Sequence, residues 1–477
     1  MRLWKSTQLN NHTLVKLKKI ALWLGLCLGW TGATARADGD FSKATAQSGP
    51  SWLRDGVIYE IFPRHFSAAG NLNGVTARLD ELKDLGVTIL WLMPIHPIGE
   101  KFRKGDYGSP YSIQDYCAVD PHYGTLDNFK KLVKEAHQRH LKVIMDIVAN
   151  HTAWDSVMMK HPEFYKHDKD GKIIPPVPEW TDVAGLNYTN AKLRDYMIAM
   201  LKYWLTEADV DGFRCDVASM VPTDFWEQAR SELVKTKPDI MFLAEASKPE
   251  LLVKAFDIDY SWPLHATLNE VMLKGAAASK LRSSWEESRR QFPQGSLHLR
   301  ISDNHDEARA VARFGVRGAL AASVLMFSLD GVPLLYNGME VGDATESGDP
   351  ALFDKLPICW NPKERPPLRD IYRDLIKLRK QSPAFRNHQV AWLKNTDDKN
   401  VVTFLREDER EQFVVVINLS SRPVQAGVEV PNAAEFQPVK VTGLETAAGG
   451  LPSLTLGGFE WRIYRRVLPA AGVAPAK

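Results

Sequence analysis

Three carboxylic acids of the sequence each stand at or just beyond the end of a short apolar run. They are Asp216, Glu245 and Asp306. Arg214 lies two residues before Asp216, so an extended strand would present both side chains on one face. His305 directly precedes Asp306. Carboxylates next to a guanidinium or an imidazole group can attack carbon, transfer a proton or stabilise positive charge. The group therefore predicts a catalytic site, if the fold brings these positions together.

Each member of this group also has a structural interpretation. A single Asp at the end of a strand is most often a helix cap, and Arg214 with Asp216 could be an ion pair without a catalytic role. His151, which follows another apolar run, and His305 could be capping or core histidines. Capping alone does not account for the whole set in this order, so we favour the catalytic interpretation.

The elements that must position these residues are short apolar runs that alternate with amphipathic stretches. Near-continuous apolar runs are typical of strands buried on both faces of a parallel sheet, and the stretches between them have helical spacing. The runs lie at 57–62, 87–93, 142–148, 212–217, 240–244, 297–302 and 332–336, with an eighth near 256–258. The predicted fold class is therefore α/β, a (β/α)8 TIM barrel, whose catalytic groups gather at the carboxyl ends of the strands.

The predicted barrel is interrupted once and followed by a second domain. It occupies 38–150 and 191–384, and the long, Pro-rich stretch 151–190 after the third strand predicts a small inserted subdomain near the active face. From 385 to 467 the pattern indicates a C-terminal antiparallel β-sandwich, and 468–477 is an Ala- and Pro-rich tail. The predicted strands of the sandwich are 401–406, 412–419, 439–444 and 459–465.

Residues 1–37 have the order of a secretory signal. Lysines precede an apolar run at 20–30, and small residues follow, ending in Ala35-Arg36-Ala37. We expect cleavage after Ala37, with Ala35 as the alternative, and therefore an exported protein in the periplasm or the medium. A transmembrane anchor would need roughly 20 apolar residues, so we expect no membrane contact after cleavage.

Composition excludes several classes of protein. The 477 residues are 44% hydrophobic and 25% charged, which excludes a disordered chain, collagen and a coiled coil. Lys and Arg number 60 against 58 Asp and Glu, so the formal charge is +2, and we expect no nucleic-acid partner. Four cysteines are too few for a fold built on disulfides.

The motifs around these residues resemble those of the α-amylase family of glycoside hydrolases, family 13. Its four main regions are similar to DIVANH at 146–151, GFRCDVAS at 212–219, LAEAS at 243–247 and SDNHDE at 302–307. Further similar motifs lie at 86–94, 109–116, 183–187 and 331–340. The resemblance spans about 52–466. It implies a barrel with a subdomain after the third strand and a C-terminal β domain, the same layout that the periodicity predicts.

The resemblance also implies roles for single residues. Asp216 matches the nucleophile, Glu245 the general acid/base, and Asp306 the third carboxylate, which stabilises the transition state. Arg214 matches the residue that keeps the nucleophile ionised, so we expect it to lower the pKa of Asp216, whereas burial should raise the pKa of Glu245. The residues that match sugar contacts are Tyr111, His151 and His305.

These roles describe a secreted, retaining α-glucan hydrolase. It would cleave α-1,4-glucosidic bonds of starch-derived malto-oligosaccharides by double displacement, with two carboxylates on either side of the bond. The alternative is a 4-α-glucanotransferase or an α-glucan isomerase that uses the same covalent intermediate. A non-catalytic relative should lack catalytic carboxylates, and all three are present.

The sequence departs from the family's pattern at two places. Ser219 and Met220 stand where many relatives have Lys-His, so the subsite on the leaving-group side must be built differently. Gly185 stands where related enzymes commonly have an Asp calcium ligand, and Asn150 remains as one candidate. Calcium prefers 6–8 oxygen ligands, several of them carboxylates. We therefore expect no required cofactor and assign no metal ligand, with calcium kept as the alternative.

Overall fold

Eight parallel strands close into a barrel in the computed structural model, which describes residues 39–345, 351–361, 363, 366–442 and 450–469. The first ten strands are β1 (Ile58–Ile61), β2 (Ile89–Leu92), β3 (Lys142–Ile147), β4 (His151–Ala153), β5 (Val183–Gly185), β6 (Gly212–Cys215), β7 (Met241–Ala244), β8 (Ile258–Tyr260), β9 (His298–Arg300) and β10 (Val332–Tyr336). All except β4 and β5 belong to the barrel, in which β1 pairs with both β2 and β10. The predicted barrel is confirmed, and its weakest predicted strand lies slightly later, at β8.

Alternation along the strands separates the barrel interior from the layer beneath the helices. Ile58 and Ile144 point inward and pack with the apolar residues of the other strands, whereas Tyr59 and Val143 pack against the helices. The same alternation continues one step further along each strand. Glu60 of β1, two residues after Ile58, therefore also points into the barrel. The inward-facing layer that it joins, at the carboxyl end of the barrel, is polar.

Helices surround the barrel. They are α1 (Ser51–Arg54), α2 (Pro63–Phe66), α3 (Leu72–Thr76), α4 (Leu79–Leu85), α5 (Leu126–Gln138), α6 (Ala191–Glu207), α7 (Thr223–Leu233), α8 (Leu251–Lys254), α9 (Trp262–Lys274), α10 (Ser279–Gln291), α11 (Ala310–Ser328) and α12 (Arg369–Gln381). Asn190 caps α6 by accepting the N–H groups of Lys192 and Leu193. Helix α11 is long and apolar enough to cross a membrane, but most of it is buried inside this fold, which identifies it as a core helix.

The segment after β3 forms the inserted subdomain. Strands β4 and β5 pair antiparallel, with His151 opposite Gly185. Two short 3-10 helices, Val157–Lys160 and Pro162–Phe164, lie between these strands. Tyr116 connects the subdomain to the barrel, because its hydroxyl lies within hydrogen-bond distance of the carbonyls of Val148 and His151. The subdomain therefore begins at the residues that end β3, beside the carboxyl end of the barrel.

The C-terminal domain is made of two packed antiparallel sheets. Its strands are β11 (Ala391–Trp392), β12 (Val401–Glu407), β13 (Glu411–Asn418), β14 (Val424–Gly427), β15 (Gln437–Pro438), β16 (Ser453–Leu456) and β17 (Trp461–Val467). The larger sheet has the order β11-β12-β13-β17-β15, and β14 pairs with β16. Val414 and Val416 of β13 pack on Leu454 and Leu456 of the smaller sheet, while Val415 faces the core that includes the barrel helices. This arrangement confirms the predicted sandwich.

One predicted strand of this domain is misplaced. The strand expected at 439–444 is the edge strand β15, which covers only Gln437–Pro438. No strand is assigned at 439–442, and residues 443 and 444 lie outside the described part of the chain. Pro438 has no N–H to donate, which is tolerated at a sheet edge but not in a long ladder. The short strands β14 and β16 were not among those predicted.

Candidate active site

Arg214 is the centre of a cluster of carboxylates at the carboxyl end of the barrel. Its side chain is fully buried, and Nη1 donates to Asp146 Oδ1 at 2.9 Å and to Asp216 Oδ1 at 3.0 Å. Its Nη2 lies 2.9 Å from Glu245 Oε2. Asp146 lies on β3 and Arg214 on the adjacent strand β6, while Asp216 and Glu245 directly follow β6 and its neighbour β7. Parallel pairing of neighbouring strands therefore brings two of the predicted catalytic acids to one guanidinium group.

Exposure distinguishes the acids that face the cleft. The side chains of Asp216, Glu245 and Asp306 keep 10%, 13% and 13% of their surface exposed, whereas those of Arg214 and Asp146 are fully buried. A group that reacts with substrate must be reachable. The structure thus leaves the three predicted catalytic acids accessible and holds the other two charged groups beneath them.

Three aromatic rings surround the guanidinium group. The rings of Trp91, Tyr111 and Tyr260 have their centroids 5.1, 5.7 and 5.8 Å from the Arg214 guanidinium carbon. At these distances each ring attracts the cation. Trp91 Nε1 also donates to Asp146 Oδ2 at 3.2 Å. The rings exclude water from one side of the cluster and keep the positive charge directed at the acids.

The turn after β6 is strained at one residue. Val217 has φ 36° and ψ 47°, the left-handed region that a β-branched residue rarely adopts. Its backbone N–H donates to Glu245 Oε2 at 2.7 Å. Strain of this kind persists where the surrounding structure imposes it, and it is concentrated at functional sites. Val217 directly follows Asp216 and precedes the 3-10 helix Ala218–Met220. Its backbone therefore connects Asp216 to Glu245.

The segment after β9 places His305 and Asp306 on the opposite side of the cleft. Asn304 Oδ1 accepts the N–H groups of Asp306 and Glu307 at 3.2 and 3.0 Å, which stabilises the turn. His305 Nε2 lies 3.1 Å from Asp306 Oδ2 and 2.7 Å from the Tyr111 hydroxyl. The same hydroxyl donates to Asp146 Oδ2 at 3.2 Å. Tyr111 thus connects this half of the site to the Arg214 cluster.

His151 reaches the site from β4. Burial lowers the pKa of His151 to about 4, although Asp182 and a hydrogen bond to the backbone of Tyr111 act in the opposite direction. The ring is therefore neutral near pH 7. Its Nδ1 lies 3.2 Å from Asn150 Nδ2, and its ring packs edge-on against Trp180 at 5.4 Å. All seven residues predicted for the site are therefore brought together, six through side-chain contacts and His151 through the Tyr111 backbone.

Burial raises the pKa values of the acids in this cluster. The pKa of Asp216 and that of Asp306 are raised to about 7, that of Asp146 to about 6, and that of Glu245 is also raised. The expected effect of Arg214 is confirmed, because its guanidinium group lowers the pKa of Asp216. Burial has the larger effect and the other acids add repulsion, so the net pKa of Asp216 is nevertheless raised. One guanidinium cannot neutralise four carboxylates, and this excess of negative charge acts in the same direction as burial.

Besides Asp146, which pairs with Arg214, three inward-facing residues of the barrel contact the predicted site residues although the sequence analysis did not select them. Trp91 and Tyr260 pack on Arg214, and Glu60 hydrogen-bonds His305 Nδ1. Each lies at an inward-facing position of a barrel strand. Of these three residues, only Glu60 could have been selected from the sequence, because it is a carboxylic acid inside an otherwise apolar run. An aromatic residue in such a run carries no comparable signal, because it is equally suited to an ordinary core.

The donors around Asn150 do not fit a calcium ion. Asn150 Nδ2 faces His151 Nδ1 and lies 4.0 Å from Met220 Sδ. A Cβ atom on Gly185 would come within 3.1 Å of the Pro176 backbone, so this position has little room for a carboxylate side chain. Calcium requires several hard oxygen ligands. Among the described residues, no group of three or more His, Cys, Asp and Glu side chains is placed to hold a metal.

Comparison with known families gives two matches along this chain. The model of the α-amylase catalytic domain matches residues 38–171 and 179–413, and the model of the maltogenic amylase C-terminal domain matches residues 393–463. The first covers the barrel and most of the inserted subdomain, and the second covers most of the C-terminal sandwich.

Individual relatives and solved structures agree with these matches. The chain is 26% identical to a cyclomaltodextrinase of Geobacillus thermopakistaniensis over 84% of this chain and 74% of that protein. It is 28% identical to the α-amylase MalA of Haloarcula japonica over 80% of this chain but only 57% of that protein's length. A noncanonic maltogenic α-amylase, AmyB of Thermotoga neapolitana, superimposes with a TM-score of 0.80 at 30% identity, covering 87% of this chain and all of that one. This chain belongs to the α-amylase family of glycoside hydrolases.

Proposed function

We propose that the protein is a retaining α-glucan hydrolase that cleaves α-1,4-glucosidic bonds of malto-oligosaccharides by double displacement. The observation that carries this proposal is the contact of Asp216 and Glu245 with the single guanidinium group of Arg214. Two acids held side by side in this way can divide the roles of nucleophile and proton donor. The printed names of the relatives, which include maltogenic α-amylase and cyclomaltodextrinase, support the substrate class.

In the first step Asp216 attacks the anomeric carbon while Glu245 protonates the departing oxygen. Asp216 acts in its ionised form, which its hydrogen bond from Arg214 Nη1 favours. Glu245 must carry the proton, and burial together with repulsion from Asp216 raises its pKa in that direction. The bond to the leaving sugar breaks, and a glucosyl ester forms on Asp216.

In the second step Glu245 removes a proton from water, which attacks the ester carbon and releases Asp216. Two inversions at one carbon retain its configuration. Asp306 and His305 hold the hydroxyl groups of the reacting sugar, and Tyr111 stacks on its ring. His151 contributes from the subdomain side as a neutral ring, because its pKa is lowered to about 4. Hydrogen bonds of this kind strengthen as the sugar approaches the oxocarbenium-like transition state.

A 4-α-glucanotransferase or an α-glucan isomerase would use the same first step and a sugar hydroxyl in place of water. The observation relevant to this alternative is the turn after Asp216, where Ser219 is exposed and Met220 half-buried. Neither side chain offers a cation to an acceptor sugar. The acceptor position is therefore built differently from that of relatives with Lys-His here, and the reaction products must distinguish the two outcomes.

Export remains part of the proposal. It is supported by the pattern of residues 1–37, which lie outside the described part of the chain. One relative bears the name intracellular maltogenic amylase, so location varies among similar proteins. Expression of the full chain with its native N-terminus, followed by N-terminal sequencing of the protein recovered from the periplasm or medium, tests this point. A mature chain that begins at residue 38 is expected, and full-length protein confined to the cytoplasm would contradict export.

The activity is tested on maltoheptaose with the mature protein and with Asp216→Asn and Glu245→Gln variants. We expect shorter products and rising reducing ends from the unaltered enzyme, and at least a 10³-fold loss in both variants, of the order found when a catalytic nucleophile is removed. Proton NMR of the first product should show the α-anomer. Products longer than the substrate at constant reducing ends would establish a transferase, and a β-anomer would contradict double displacement.

A further inference from the structure

Glu60 is a buried acid that no step of the proposed mechanism uses. It lies in β1, opposite Trp91 of β2 and Tyr336 of β10, and its side chain is fully buried. Its Oε1 makes a short hydrogen bond with Nδ1 of His305, which lies 245 residues later in the chain. An acid inside a barrel strand is costly unless its hydrogen bonds compensate for lost hydration. Within the described part of the chain, His305 Nδ1 is the only side-chain atom that hydrogen-bonds Glu60, and the His305 backbone also contributes a hydrogen bond.

The other edge of the His305 ring faces the cleft. Its Nε2 is 2.7 Å from the Tyr111 hydroxyl and 3.1 Å from Asp306 Oδ2. The Tyr111 hydroxyl also lies 3.2 Å from Asp146 Oδ2, an acceptor when ionised; when the hydroxyl donates its single proton there, the Tyr111 oxygen is free to accept from Nε2. Asp306 is an acceptor when ionised. The Tyr111 oxygen and Asp306 Oδ2 can therefore both act as acceptors, and this arrangement is most favourable when Nε2 carries a hydrogen that it donates to them.

This arrangement determines which group at the buried edge holds a proton. A neutral imidazole with its hydrogen on Nε2 has a bare Nδ1, which can only accept. Glu60 must then be a neutral carboxylic acid that donates to Nδ1. Burial favours this state, because it raises the pKa of Glu60 well above its usual range, with Arg214 opposing and Asp303 adding to the effect. Burial also lowers the pKa of His305, which favours the neutral ring.

Neighbouring rings restrict His305 from its faces. Tyr111 lies nearly parallel to it with centroids 5.5 Å apart, and Trp91 packs edge-on at 5.8 Å. These contacts limit tilting, but they leave the ring able to rotate in its own plane and to change its tautomer. The hydrogen bond at Nδ1 restricts both, together with the contacts of Nε2 to Tyr111 and Asp306.

We propose that Glu60 is the positioning residue of His305: its carboxyl group donates to Nδ1 and thereby directs the Nε2–H of His305 at the sugar hydroxyl beside Asp306. This role rests on the proposed function, in which His305 touches the reacting sugar. Glu60 itself does not reach the substrate. Its contribution therefore passes entirely through His305, and this dependence can be tested separately from glucan hydrolysis.

The first test compares Glu60→Gln and Glu60→Leu by kcat/KM on maltoheptaose. The Gln amide can donate to Nδ1, so we expect activity within about threefold of the unaltered enzyme. Leu cannot, and we expect a loss on the order of 10- to 100-fold, the usual cost of removing the hydrogen-bond partner of a functional histidine. In a His305→Ala background the Leu substitution should cause no further loss. Equal losses in Gln and Leu, or a full additional loss in the His305→Ala background, would overturn the proposal.

Glu340 provides a matched control for stability. It is a similarly buried acid that accepts from the Tyr59 hydroxyl at 2.5 Å, and none of its described hydrogen bonds involves His305. Glu340→Leu should lower the melting temperature as Glu60→Leu does. Because it acts independently of His305, any effect of Glu340→Leu on kcat/KM should persist in the His305→Ala background. If the two Leu variants behave alike in that background, Glu60 has only a structural role.

The second test needs no turnover. Nitrogen-15 NMR of histidine-labelled protein, with His305→Ala to assign the signals, distinguishes a protonated from a bare ring nitrogen. We expect a protonated Nε2 and a bare Nδ1 in the unaltered protein and in Glu60→Gln. A protonated Nδ1 in the unaltered protein would refute the proposal even if glucan hydrolysis is found. Conversely, inactivity on glucans with the expected spectrum would refute the proposed function and leave the Glu60–His305 pair in place.

Discussion

Replacing Arg214 by Met removes the one cation of the carboxylate cluster. Three acids lose a contact of 2.9–3.0 Å, and all of them are buried or nearly so. Breaking a buried ion pair by removing one partner costs about 3–5 kcal/mol. At about 1.4 kcal/mol for each pKa unit, that corresponds to an increase of roughly 2–4 units in the pKa of the acid left without its partner. The substitution should therefore protonate Asp216 across the neutral range.

The sign of the effect on activity follows from the proposed role of Asp216. In the proposed mechanism its ionised form attacks, so activity is expected above its pKa and is lost as pH falls through that value. Raising the pKa moves the acidic limb of the kcat/KM profile to higher pH by roughly 2–4 units. At a pH below both limbs the loss should therefore approach about 10²–10⁴-fold, since each pKa unit is tenfold in the ionised fraction. Arg214→Lys, with a smaller cation and no planar fork, should give an intermediate shift.

The assay is kcat/KM for maltoheptaose from pH 4 to 9, with the melting temperature of each variant. Arg300 provides a matched control, because it is also buried in the barrel and pairs with Asp330 Oδ1 at 2.8 Å, away from the carboxylate cluster. Arg300→Met should lower the melting temperature and leave the acidic limb in place. If Arg214→Met loses activity equally at every pH, with no displacement of the limb, the electrostatic argument is refuted and Arg214 is only a scaffold.

Two further predictions concern stability. Burial raises the pKa of Asp211, but hydrogen bonds from His137 and Lys142 are stronger and hold it at about 2. Asp211→Asn should therefore lower the free energy of unfolding by about 2 kcal/mol in urea at pH 7, and this difference should shrink as pH falls from 4 to 2. The control Asp239→Asn, at an exposed position, should change the free energy of unfolding little. A difference for Asp211→Asn that does not depend on pH would contradict the link between this pKa and stability. Because the donors around Asn150 do not fit calcium, EDTA or added Ca²⁺ should leave the melting temperature unchanged, and a shift of several degrees with Ca²⁺ would contradict this prediction.

Local patterns determined most of the architecture. Each barrel strand is buried on both faces, so its sequence is a nearly continuous apolar run that predicts a strand without information about the neighbouring strands. The positions of the proposed catalytic acids were predictable for the same reason: Asp216 and Glu245 lie at the ends of two of these runs, and a closed parallel barrel brings all strand ends to one rim. Edge strands lack this signal. Strand β15 covers two residues, and β14 covers four, of which only Val424 is β-branched, so neither could be recognised from its composition.

The chemical state of the site was decided only by tertiary structure. The sequence places Arg214 beside Asp216 and thus predicts a lowered pKa, but it does not reveal that Asp146 and Glu245 contact the same guanidinium group. Nor does it reveal how completely the barrel excludes water from them. A pKa depends on the sum of all neighbouring charges and on burial, and both are set by contacts between strands far apart in the chain. The pairing of Glu60 with His305 has the same origin: a single acid in an apolar strand is visible in the sequence, but its partner is chosen by the closure of the barrel.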